Sequence, residues 1–240
     1  IVEVVGRWHF PFITTNGYRT DRQLAYELFR AGLWGVSISI DYADTQRHSQ
    51  ARGIADAYEK AVAALEAFSH ARQYPWQRVN LMCVLLDDNA DQIEPLIKLA
   101  AEHNAYFMIQ PYCSMKTGSS KFRHRNYDGI SRYLLDLRSK YRNFLSNPWF
   151  LSNFDAALNG GVPGCMAGRT FFNIDSTGDI AICVENRHKP VANLHRDDIT
   201  EIGNRLRQAA RANHCQACWY NCRGEVESIY RPYGLLKSLP

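Results

Sequence analysis

Val79-Asn80-Leu81-Met82-Cys83-Val84-Leu85-Leu86 is an almost unbroken apolar run of strand length. A strand of this kind is covered on both faces, as in a parallel sheet wrapped by helices. The sequence around it keeps the same rhythm. Before it, a helix from about Ile54 to Ala71 sets Ala57, Ala61, Ala64, Leu65 and Phe68 at helical spacing, and after it Asp91 to His103 does so with Ile93, Leu96, Ile97 and Ala100. Further out, Gly35 to Ile40 reads as a strand running into Asp41, and Ala105 to Ile109 as one leaving through Gln110-Pro111-Tyr112. Phe10 to Thr14 is another, ending at Thr15-Asn16-Gly17; Asp21 then caps a helix carrying Leu24, Leu28 and Phe29 that stops at Gly32. A loop of glycine, serine and basic residues, Ser114 to Arg125, leads to a helix from about Asp128 to Phe144. Four βα pairs in succession make an α/β fold with a parallel sheet. A closed barrel needs eight, so the expectation is a partial TIM-like barrel or an open sheet. Ligands in such folds sit at the C-terminal strand ends. Thr15, Asn16, Ser39, Asp41, Asp87, Asn89 and Gln110 fall there.

The character changes after Asn147. Phe171 to Ile174 and Ile180 to Cys183, joined through Ser176-Thr177-Gly178-Asp179, read as a β-hairpin. Asp198 to Ala212 reads as a helix with Ile202, Leu206 and Ala209 on one face, and Asn213 to Pro240 as mostly loop. Two domains are therefore expected, 1–147 a partial barrel and 148–240 a small cysteine-rich hairpin-plus-helix domain. The 240 residues, 46% hydrophobic and 22% charged, suffice for that core. Basic residues exceed acidic ones by only 28 to 24 and are dispersed, which argues against a nucleic-acid partner. No run approaches a membrane span and no signal segment opens the chain, so no membrane association and a cytoplasmic location are expected. Ile1 opens on what reads as the end of an apolar helix, as though a segment precedes it.

Of the seven cysteines, Cys165, Cys183, Cys215, Cys218 and Cys222 crowd the C-terminal part. An odd total without an export signal favours metal or redox chemistry over a disulfide framework. Twelve residues separate Cys165 from Gly178, and four more separate Gly178 from Cys183, so a tight hairpin turn at the glycine brings the two sulfurs together. Cys215-x2-Cys218-x3-Cys222 adds a local set whose two-residue spacer lets both thiolates face one centre. Four thiolates suffice for one tetrahedral zinc or one [4Fe-4S] cluster, and spacing alone does not separate them.

The upstream sequence adds a resemblance. Thr14-Thr15-Asn16-Gly17, Val36 to Asp41, Arg52-Gly53, the alanine-rich helix and Leu81 to Asn89 resemble the middle of the radical S-adenosylmethionine (SAM) partial barrel. Cys165 to Cys222 is similar to the auxiliary-cluster region called SPASM, or to its shorter one-cluster twitch form, which five cysteines favour. The defining Cys-x3-Cys-x2-Cys that binds the SAM cluster is nowhere in the sequence. The family places it after the first strand, and the strand ending at Thr15 resembles the third. The first two βα units are thus expected to be missing from this chain, which by itself would not cleave SAM.

What the resemblance implies is a radical SAM enzyme with an oxidoreductase- or transferase-like reaction. It would generate a 5′-deoxyadenosyl radical to abstract a substrate hydrogen. Its cofactors would be SAM, a second [4Fe-4S] cluster whose ligands lie outside this chain, and an auxiliary [4Fe-4S] cluster on four of the five C-terminal cysteines. Ser39 and Asp41 would contact the ribose or methionyl part of SAM and Arg52 its carboxylate, although Ser39 also suits a strand end and Arg52 a solvated helix start. Thr15 and Asn16 are equally good turn formers, and Gln110 lies at a strand exit that could face cofactor or substrate. Cys113, at the same exit, is a candidate hydrogen-atom donor, whereas Cys83 reads as a core thiol. An electron donor such as a flavodoxin or ferredoxin is implied. The expected substrate is a natural product or other small molecule. The alternatives are a ribosomal peptide, modified by a maturase through thioether, epimerisation or crosslink chemistry, and a non-catalytic zinc or iron–sulfur binding module.

Overall fold

The computed structural model describes residues 1–123 and 128–230. His124 and Arg125 of the basic loop lie outside them, as does the end of the C-terminal tail from residue 231. The chain forms two compact units, residues 1–110 with 136–146, and residues 111–135 with 147–240.

The first unit opens with a short helix, α1 (Val2–Gly6), and then alternates strands and helices: β1 (Phe12–Thr15), α2 (Arg22–Arg30), β2 (Gly35–Ser39), α3 (Thr45–Arg52), α4 (Ala57–Ala71), β3 (Arg78–Leu85), α5 (Ile93–Glu102) and β4 (Tyr106–Pro111). The strands lie in the order β1-β2-β3-β4, matching a partial parallel barrel. Thr14 pairs with Ser37 and Ser37 with Asn80, so β1, β2 and β3 run parallel and in step, and their C-terminal ends share one edge. Val36, Ile38, Val79, Leu81, Leu85, Phe107 and Ile109 are all fully buried. Each such side chain contributes roughly 1.5–3 kcal/mol of burial. α4 and α5 cover the sheet with the faces their periodicity predicts, Ala61, Ala64, Leu65 and Phe68 from α4 and Ile93, Leu96, Ile97 and Ala100 from α5, whereas α2 buries Ala25 and Phe29 and leaves Leu24 exposed and Leu28 half-buried. The alanines of α4 have a specific use. Gly17, at φ +76°, packs so closely that a Cβ there would lie 2.7 Å from Ala64 Cβ, which seats the β1 exit on the helix.

One helix of this unit has no sequence signal. In α3 only Ala51 is apolar, and its buried residues are His48 and Ser49. Capping defines it: the Asp44 carboxylate accepts from Arg47 N–H at 2.7 Å, and Gly53 ends it in the left-handed conformation. The long helix read from Ile54 therefore begins at Ala57.

The α6 helix (Ile130–Lys140) is shorter than the 128–144 read from the sequence, and Phe144 instead bridges to Phe107. The second unit adds α7 (Pro148–Ser152) and α8 (Phe154–Asn159), then a three-stranded sheet of β5 (Asn173–Ile174), β6 (Asp179–Ala181) and β7 (Ala192–Asn193), followed by α9 (Ile199–Arg211) and α10 (Asn221–Ile229). The hairpin is antiparallel, with Ile174 opposite Ile180, and its turn is fixed by the Asp175 carboxylate accepting from Thr177 and Asp179 N–H at 2.9 and 3.0 Å. In α9 it is Ala210, beside Ile202 and Leu206, that is buried, one position on from the Ala209 read from the sequence. α10 lies within the tail that reads as loop. Its buried residues are Arg223, Gly224, Glu227 and Ser228, a polar set that hydrophobic periodicity does not detect. Beside it Trp219 stacks on Phe150 at 5.6 Å and donates its indole N–H to Phe150 O at 2.9 Å.

Candidate functional site

In the first unit the shared strand edge carries the polar residues expected there. Thr15 Oγ1 accepts from Gly17 N–H at 3.1 Å and Asn16 Oδ1 from Tyr18 N–H at 3.2 Å, so both side chains hold the β1 turn. Both also line a cleft of about 420 Å³ with Ile13, Arg19 and Ile54. Ser39 is the last residue of β2 and half-buried; Gln110 is half-buried near the end of β4.

Asp41 and Arg52 meet directly. The guanidinium donates to Asp41 Oδ2 at 2.6 Å, and Asp41 Oδ1 accepts from Val84 N–H at 2.9 Å. The Asp41 backbone joins in: its N–H donates to His48 Nδ1 at 3.2 Å, and its carbonyl accepts from Asn89 Nδ2 at 2.8 Å. Asp41 thus ties the exits of β2 and β3 to α3. Burial pushes its carboxyl up, and the Arg52 charge partly offsets this. Burial likewise lowers the His48 imidazole to about 4. Cys83, fully buried beneath this knot, has its thiol pushed well up by burial, which suits an unreactive core residue.

In the second unit six thiols are linked pair by pair through their electrostatic influence, none of them in a disulfide. Burial raises the Cys183 thiol, the nearby backbone N–H groups of Asn186 and Glu185 oppose this, and Cys165 and Cys215 add to the rise. Burial pushes Cys218 up to about 12; the Arg223 charge opposes, and Cys165, Cys113 and Cys222 add to the rise. Cys222 is exposed as a residue, yet its sulfur is crowded enough to rise to about 11, with Cys183 as its next cause. Cys113, from the segment after β4, belongs to this group: its thiol faces Ala217 O at 3.6 Å, next to Cys218 in the chain. Its nearness to the tail cysteines is not legible in the sequence.

Side chains the sequence reading passed over hold the cysteine segments together. Arg223 and Glu227 form a fully buried ion pair at 3.3 Å. Arg223 also donates to Cys218 O at 2.6 Å, to Val162 O, and to Pro163 O at 3.4 Å, and Glu227 Oε1 accepts from Met166 N–H at 2.7 Å. Asn213 bridges the same two segments, donating to Cys165 O at 3.2 Å and accepting from Cys215 N–H at 3.1 Å. Their only sequence signal is the i,i+4 spacing of an arginine and a glutamate beside the last cysteine. As they stand, no three His, Cys, Asp or Glu side chains among the described residues converge on a position for one metal ion. The donor set nevertheless fits a thiolate-bound cluster: several free thiols lie near one another, a bound cation would favour their thiolate forms, and backbone N–H groups lie beside one sulfur.

Comparison with known proteins bears on both units. No family model matches the chain. A probable GTP 3′,8-cyclase of Thermoplasma volcanium is 33% identical over 140 residues, covering 56% of this chain and 42% of that protein. The mycofactocin maturase MftC of Mycolicibacterium smegmatis is 26% identical over 238 residues, covering 88% of this chain and 57% of the maturase. The chain is similar in sequence and fold to radical SAM superfamily proteins. The fold agrees: the crystal structure of Streptococcus suis SuiB superimposes with a TM-score of 0.63 at 18% identity, over 84% of this chain and 50% of SuiB, and SuiB bound to its precursor peptide SuiA gives 0.60. The chain spans about half the length of these radical SAM relatives. No helix among the described residues is long and apolar enough to cross a membrane.

Proposed function

We propose that this chain is part of a radical SAM maturase that modifies a peptide, and that its second unit binds an auxiliary [4Fe-4S] cluster in a twitch-like domain. The observation that carries this reading is the likeness to the mycofactocin maturase, which runs through 88% of the chain and so spans both units, whereas the likeness to the cyclase spans 56%. The peptide substrate displaces the small-molecule one expected from the sequence. When bound, SAM and its own cluster supply a 5′-deoxyadenosyl radical for hydrogen abstraction. This chain's residues orient and shield. Arg52, steered by Asp41, presents a guanidinium at the strand edge for the SAM carboxylate, with Ser39, Thr15, Asn16 and Gln110 alongside. Four of Cys165, Cys183, Cys215, Cys218 and Cys222 supply the auxiliary ligands, and Cys113 keeps a thiol beside them as the hydrogen-atom donor. A flavodoxin- or ferredoxin-like protein provides electrons.

The experiment has two arms. The chain is reconstituted with iron and sulfide without oxygen and assayed for iron, sulfide and zinc beside a Cys165→Ala/Cys218→Ala variant. About four irons per chain, lost in the variant, is the expected result; one zinc without sulfide would sink the cluster. A longer protein carrying the Cys-x3-Cys-x2-Cys segment is then given SAM, a reductant and either short peptides encoded near its gene or GTP. Release of 5′-deoxyadenosine that rises with one peptide, together with a mass change in that peptide, is expected. A response to GTP alone would return the substrate to the small-molecule class.

A further inference from the structure

We propose that Arg223 and Glu227 are the positioning pair of the cysteine centre, joining its Cys165 and Cys218 segments into one frame before any metal arrives and setting a fixed charge beside Cys218. The inference rests on the cluster reading above for its electrochemical half, and on geometry alone for its framing half.

Both side chains are completely buried. A buried ion pair is weak evidence for stability, because desolvation offsets attraction, but it can fix one arrangement among several. Here the arrangement it fixes is specific. Beyond Glu227, every hydrogen bond from Arg223 goes to main-chain oxygen: Cys218 at 2.6 Å, Val162, and Pro163 at 3.4 Å. Glu227 Oε1 takes the N–H of Met166 at 2.7 Å. The bonded residues therefore bracket Cys165 on one segment and include Cys218 on the other. An arginine suits this task because its planar fork reaches several acceptors at once, which a lysine ammonium cannot do in the same directions. The pair sits on α10, so the helix that carries the last cysteine acts as the brace.

The charge has its own consequence. A guanidinium held against a ligand's carbonyl favours the more negative, reduced form of a thiolate cluster, and the Glu227 carboxylate partly cancels that field. Glu227→Gln keeps an oxygen for Met166 and Arg223 but removes the negative charge. It should retain full iron and move the cluster's reduction potential to a more positive value. A purely structural pair would leave the potential of a fully loaded cluster where it was.

The test uses the whole chain as wild type, Glu227→Gln and Arg223→Lys. In the metal-free proteins, alkylation rates of individual thiols are read by mass spectrometry, with the core residue Cys83 as an internal control for folding. Arg223→Lys should speed Cys165 and Cys218 about fivefold, as expected for loss of about 1 kcal/mol of local protection, and leave Cys83 unchanged. In the reconstituted proteins, iron content and an EPR-monitored redox titration are read. Arg223→Lys should lose at least half of its iron. Unchanged alkylation rates together with an unchanged potential in Glu227→Gln would overturn the proposal. Should Arg223→Lys expose Cys83 as well, the variant has unfolded and the Glu227→Gln potential decides. A wild-type chain that takes no iron and sulfide would refute the cluster and the electrochemical half with it, while the alkylation rates would still decide the framing half.

Discussion

At the scale of single residues, the side chains named from the sequence are in several cases doing a second job. Asp41 and Arg52 are two candidate cofactor contacts that the fold joins to each other at 2.6 Å, so the Asp41 carboxylate is already engaged by Arg52 and by Val84 N–H. That pairing was not legible, because the two lie eleven positions apart across a helix without an apolar pattern. His48, within that helix, went unread for the same reason, and it carries a pH prediction. Its imidazole is held down to about 4, by burial first and by the Arg52 charge second. The unfolded chain binds the proton near pH 6.5 and the folded chain only near 4. The stability it contributes is therefore complete above about pH 6.5 and is lost as pH falls from there towards 4. Protonation also removes Nδ1 as the acceptor for Asp41 N–H. Asp41 acts in the opposite sense, since its raised folded pKa means that acid stabilises it. Comparison with His48→Asn, which keeps an acceptor but does not titrate, isolates the histidine. Urea unfolding of the wild type should lose on the order of 2 kcal/mol more than the variant between about pH 7 and 4.5; equal losses would show that the ring is not the titrating group.

At the scale of elements, the sequence was readable wherever apolar periodicity sets the structure. β2, β3, α4 and α5 bury the faces their patterns predict. The hairpin was readable too, since Gly178 at φ +82° occupies a turn that a side chain would strain, where a Cβ would meet His195 at 2.7 Å. Of the elements that stayed hidden, α3 rests on its caps and α10 on a buried arginine and glutamate, while α7, α8 and β7 are too short for a periodic pattern. α10 also needs a glycine where helix propensity alone would prefer alanine. A Cβ on Gly224 would lie 2.0 Å from the Phe150 ring and 3.1 Å from Trp219. Gly224→Ala gains propensity but overpacks this contact, and the overpacking wins because propensity is worth only about 1 kcal/mol while a rigid aromatic ring must move. The variant should lose about 1–3 kcal/mol. Its near-ultraviolet circular dichroism from Trp219 should weaken as well. A variant as stable as wild type would mean that the α10 packing is looser than described.

At the scale of the whole molecule, the four-stranded sheet leaves β1 on an edge. Its burial alternates between exposed and half-buried positions, whereas β2 and β3 are covered almost throughout. Phe12 is 40% exposed and Phe10, just before the strand, 79%, although both rings reach Trp34 at about 6 Å. An edge strand with aromatic residues and no charged side chain within it is a ready template for another strand. The radical SAM relatives are about twice as long as the stretch they share with this chain. The two observations together predict that, in a longer protein carrying the SAM-cluster segment, a further parallel strand pairs with β1. Amide hydrogen exchange tests this directly. The outward-facing N–H groups between Phe12 and Thr15 should exchange quickly in this chain and at least about a hundredfold more slowly in the longer protein, the protection expected of a paired interior strand. The amides of β3 supply the control, being interior to the sheet in both. If β1 exchanges equally fast in both proteins, the sheet ends at β1 and the SAM-cluster segment must attach elsewhere.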